Sequence, residues 1–80
     1  MQKKLLETKT ISFNGTNCEV KYFRQRDLDG DVIYSSEVTF REDDKMILDG
    51  SSLGNLQQKV NLVLPASIYS RVVAGILEVA

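Results

Sequence analysis

The strongest constraint on this chain of 80 residues lies between positions 18 and 40, CEVKYFRQRDLDGDVIYSSEVTF. Its second half alternates Val32, Tyr34, Ser36, Val38 and Phe40 with Ile33, Ser35, Glu37 and Thr39. A two-residue period places one set of side chains on a core and the other towards water, which is the signature of a half-buried strand. Before the Asp/Gly-rich turn at 27–31, Cys18, Val20 and Tyr22 alternate with Glu19 and Lys21 in the same way. Phe23 falls on the polar side, so that side is partly covered or a bulge intervenes.

Further elements pair with this hairpin or cover it. Ile11 and Phe13 alternate with Thr10 and Ser12, and Asn14-Gly15 follows at once. Asn-Gly between two β-rich runs predicts a tight hairpin, because both central residues of a type I′ turn take positive φ. A charged turn at 41–44 leads to a short strand over 45–48. The period changes after Asp49-Gly50, where Leu53, Leu56, Val60 and Val63 recur at helical spacing. Ser51 or Ser52 is suited to cap that helix, and Pro65 is expected to end it or kink it sharply. The resulting expectation is a single α+β domain. It has a four-stranded antiparallel meander (about 9–13, 16–24, 31–40 and 45–48) and two C-terminal helices (about 52–63 and 66–77) covering one face.

Composition narrows the chemistry. The chain has no histidine, so the usual general base near neutral pH is missing. Cys18 is the sole cysteine, which rules out an internal disulfide and suits a reducing cytoplasm. It reads as a small core hydrophobe. Asp27, Asp29 and Asp31 occupy alternate positions as in a calcium loop, but such a loop needs glycine sixth and a bidentate acid twelfth. Here Gly30 is fourth, Val32 sixth, Val38 twelfth and Glu37 one place short. A solvated turn explains the same residues, and no metal or cofactor is expected. Asp43, Asp44 and Glu37 fall on turns and strands with no recognisable pocket to separate carboxylate pKa values, so no catalytic residue is assigned.

Charge is unevenly distributed. Residues 1–26 carry a net +4, residues 27–49 a net −6 and residues 50–80 a net +1. Lys21, Arg24 and Arg26 beside Tyr22 and Phe23 form the alternative site, for single-stranded nucleic acid. Against it, Tyr22 and Phe23 point to opposite faces of a regular strand. The opening MQKKLLETKT lacks the apolar run of a signal peptide.

From Val60 onward 14 of 21 residues are apolar, interrupted by Pro65 and Arg71 and too short in any run to span a membrane. So small a sheet cannot hide this segment alone. Ile68, Tyr69, Val72, Val73 and Ile76 are therefore the expected interface, with a second copy of the chain as the leading partner. The layout of residues 18–63 also resembles the small HicB-type antitoxin domains: a hairpin, a strand ending near Leu48, then Gly50-Ser51-Ser52-Leu53 leading into an amphipathic helix. The Pro-rich segment containing Gly-Cys and the DNA-binding tail of those domains are missing. The resemblance implies a non-catalytic domain that binds another protein and often itself. No site residue carries over.

Overall fold

A computed structural model describes residues 3–13 and 15–77. Strands β1 (Lys4–Phe13), β2 (Thr16–Arg26), β3 (Val32–Arg41) and β4 (Asp44–Gly50) precede one helix, α1 (Leu53–Val73). The strands form an antiparallel sheet in the order β1-β2-β3-β4, the α+β meander that the alternation predicts. Gly15 has a φ of 78° in the β1–β2 turn, and Asn14 lies outside the described residues.

Strand β1 begins five residues before the expected 9–13, for a reason the residue pattern conceals. A bulge between Leu5 and Glu7 exchanges the faces, so Leu5 pairs with Phe23 on the side away from the helix while Glu7 pairs with Tyr22 on the helix side. Simple alternation cannot run through an inserted residue. The same pairing accounts for Phe23, which is half-buried with Leu5 and Ser35 beside it and the Lys3 ammonium 4.4 Å from its ring centre. Strand β4 also continues past 45–48, because Asp49 and Gly50 still pair with Ser35 and Tyr34. Gly50 has a steric role, since a Cβ there would lie 3.0 Å from the Leu56 Cβ. The bare backbone lets the first helical turn rest on the end of β4.

The two expected helices are one. Ser52 caps α1 by accepting from the Asn55 N–H at 3.1 Å, and the helix passes through Pro65 to Val73. The buried residues Leu56, Val60, Leu64 and Ile68 keep a strict four-residue spacing across the proline. Burying Leu64 and Ile68 contributes about 1.5–3 kcal/mol each, against a cost of about 3 kcal/mol for an interior proline. The carbonyl deprived of its donor belongs to Asn61, an exposed residue that water can serve. The helix stops four residues short of the expected end at 77. Gly75, at φ 76°, lets the Ile76 N–H donate to the Arg71 carbonyl at 2.8 Å and its own N–H to that of Val72 at 3.0 Å, a Schellman ending.

The core is a single cluster in which the helix stripe meets Cys18, Val20, Tyr22, Val38 and Phe40. Pro65→Ala restores one backbone hydrogen bond without disturbing that stripe. It is expected to raise the unfolding free energy by roughly 1–3 kcal/mol in urea titrations. A loss of stability would mean that the pyrrolidine ring's packing outweighs the missing bond.

Candidate functional site

The helix lies over β3 and β4, its stripe also buries the inward residues of β2, and the helix-side face of β1 is left partly bare. Ile11 and Phe13 are only half-buried there, and Lys9 is exposed. Between the β1–β2 hairpin and the C-terminal half of α1 runs a groove of about 540 Å³, with Phe13 and Thr16 on one side and Pro65, Ile68, Tyr69 and Val72 on the other. None of these side chains is charged. Of the five expected interface residues, Tyr69 (71%) and Val73 (69%) stand in solvent, Ile76 is 43% exposed, and Ile68 is 2% exposed and built into the core. Val72 is half-buried against that core. The periodicity merged these two roles because it cannot say which side of a wide apolar helix meets the sheet. Leu62, 81% exposed, belongs to the same outward side and was missed because it falls one place from the stripe.

A second cluster fastens this end of the helix. Arg71 donates to both carboxylate oxygens of Asp44, at 2.6 and 3.0 Å. Its guanidinium carbon stacks 3.8 Å from the Phe40 ring centre, and Nη1 also reaches the Ser67 carbonyl at 3.0 Å. The hydrogen bond from Arg71 holds the Asp44 carboxyl below its ordinary range, helped by the charges of Arg71 and Arg41. Of the turn acids, Asp44 alone is drawn into such a contact with the helix. Glu37 pairs with Lys45 at 3.3 Å, and Asp43 lies 4.0 Å from Arg41.

The Asp27, Asp29 and Asp31 carboxylates lie within 4.8 Å of one another. Asp27 is occupied in shaping the turn, since its Oδ1 accepts from the backbone N–H groups of Asp29 and Asp31, both at 2.9 Å. Cys18 is fully buried, and burial pushes its thiol pKa up, the opposite of what activates a thiolate.

The three cations of the alternative site do not share a face. Lys21 lies on the side away from the helix, 3.6 Å from Glu19. Arg24 and Arg26 alternate onto the other side with Tyr22, as the pairing of Arg24 with Tyr34 and Lys4 requires. A tighter basic group is thereby formed by Lys4, Arg24 and Arg26 next to Tyr34. Among the described residues these cations have no carboxylate within ion-pair distance.

No protein-family model, curated protein or solved structure matches this chain. No helix among the described residues is long and apolar enough to cross a membrane.

The Asp44–Arg71 contact makes stability depend on pH in a defined direction. A carboxyl whose pKa is lowered by folding adds stability above the ordinary aspartate range of about 4. That contribution disappears as pH falls through the lowered value. Asp44→Asn is expected to destabilise the chain at pH 7 and to flatten the acid limb of its stability curve. Urea titrations of both proteins between neutral and strongly acid pH check this, and parallel acid limbs would contradict it.

Proposed function

We propose that this chain is a small, non-catalytic cytoplasmic interaction protein that works through protein–protein contacts, with a second copy of itself as the first partner. The observation that carries this reading is the exposed apolar end of α1, Tyr69 and Val73, with Ile76 just beyond it, beside an uncharged groove. Water contact with such a surface is costly at roughly 25 cal/mol per Å² of apolar area, and a partner removes it. The buried Cys18 and the engagement of Asp44, Glu37 and Asp27 in structural contacts support assigning no catalytic role to them. The layout resemblance to HicB-type antitoxin domains points to the same class of function.

A second reading draws on Lys4, Arg24, Arg26 and Tyr34: weak binding of single-stranded nucleic acid at the opposite end of the sheet. Fluorescence anisotropy with a labelled oligonucleotide checks it. Binding should weaken steeply as salt rises and be lost in Arg24→Glu, and salt-independent binding or none removes it.

For the principal reading, Val73→Glu places a charge on the outward side of α1 without touching the core. The expected outcome is a self-associating wild type by light scattering and a variant whose association is weakened, with an unchanged far-UV spectrum. A wild type that remains monomeric at every concentration overturns self-association.

A further inference from the structure

The two edges of the sheet differ in what they could pair with. At β4, the Lys59 ammonium donates to the Asp49 carbonyl at 2.7 Å, so that carbonyl faces away from β3. Backbone groups alternate sides along a strand, so those of Lys45 and Ile47 face the same open edge. The residues are Lys45-Met46-Ile47-Leu48-Asp49, and reversed about Ile47 they complement themselves. An antiparallel copy centred there puts Lys45 opposite Asp49 twice, Met46 opposite Leu48 twice, and Ile47 opposite itself. The faces agree as well. Met46 and Leu48 pair with Val38 and Ser36 on the helix side, while Lys45, Ile47 and Asp49 pair with Thr39, Glu37 and Ser35 on the other. Ile47 is 56% exposed.

Strand β1 offers no such match. Its free backbone groups belong to Thr8, Thr10 and Ser12, because Phe13 and Thr16 close the hairpin as a pair. Self-pairing about Thr10 would oppose Glu7 to Phe13 and Lys9 to Ile11. The bulge after Leu5 obstructs pairing further along, as guarded edges do.

We infer that β4 is a self-recognition edge, at which two copies join β4 to β4 antiparallel about Ile47 to form one continuous eight-stranded sheet. The contact is isologous, so it closes on a dimer and leaves the guarded β1 edges outermost. Both helices then lie on the same side of the joined sheet, flanking the two-fold axis. Lys59 crosses the edge but leaves one lone pair of the Asp49 carbonyl free, and its long stem can move aside. This inference rests on the reading that the chain self-associates, but it uses a surface separate from Tyr69 and Val73.

Sedimentation equilibrium on four proteins tests it: wild type, Lys45→Glu, Asp49→Lys and the double exchange. Each single reversal turns two attractive cross-strand pairs into repulsive ones and is expected to weaken the dimer roughly tenfold. The double exchange restores the attraction and should return the affinity to within about threefold of wild type. Lys45→Glu also removes the pair with Glu37 within each copy, whereas Asp49→Lys breaks no ion pair among the described residues and so guards against a merely unfolded variant. Amide exchange gives a second readout: Lys45, Ile47 and Asp49 should gain protection as concentration rises, and Thr8, Thr10 and Ser12 should not. A wild-type dimer indifferent to all three variants, or one that the double exchange fails to restore, overturns the edge pairing and leaves the helix surface standing. A monomeric wild type overturns both.

Discussion

Every other feature of this molecule depends on the seam where Leu56, Val60, Leu64 and Ile68 lie against Cys18, Val20, Tyr22, Val38 and Phe40. It is the one place where a small domain removes much apolar surface from water, and apolar burial is its principal source of stability. The seam carries α1 through Pro65, because repeating the stripe every fourth residue keeps both halves of the helix in phase. It also sets the helix's position over β3 and β4. One helix cannot cover four strands, so the face of β1 at the hairpin end is left half-clothed and the groove opens there.

Charge is arranged around this seam and stays out of it. Arg71 is the instructive case, since its guanidinium satisfies Asp44 bidentately, lies on the Phe40 ring and reaches a helix carbonyl. A planar donor can meet three neighbours at once, which a lysine ammonium cannot do in the same geometry. Through it the end of the helix is tied to the β3–β4 turn. The acids of the β2–β3 turn serve a local purpose, with Asp27 folding the loop around its own carboxylate. Three acidic residues in one turn thus resemble a site, while one of them, Asp27, caps the backbone N–H groups of the other two.

The surfaces left over are unequal, and the inequality gives the functional reading its content. One side of α1 presents Tyr69 and Val73 to water, with Ile76 exposed just past its end, and β4 presents an edge whose residues complement their own reverse. The other edge is interrupted by a bulge. These two surfaces, one apolar and one self-complementary, are what the proposal of self-association rests on. The carboxylates of Asp27, Glu37 and Asp44 are engaged in a turn and in ion pairs, and the thiol is sealed beneath the helix.

Strand count, meander order, the inward set Cys18, Val20, Tyr22 and Val38, and a serine cap at 51 or 52 were legible in the residues. Each depends on a short-range period or on a local hydrogen bond. The faces of β1 were not legible, because the bulge after Leu5 shifts the register without altering composition. Nor was the single helix, because proline's cost is local while the burial that outweighs it comes from strands distant in sequence. The division of the helix into Ile68 within and Tyr69 without followed the same logic. Sequence alone determined the four strands and where the helix begins, since propensity and periodicity act over a few residues. Tertiary structure decided which faces and edges remain free, since that depends on where one helix comes to rest on a sheet too broad for it.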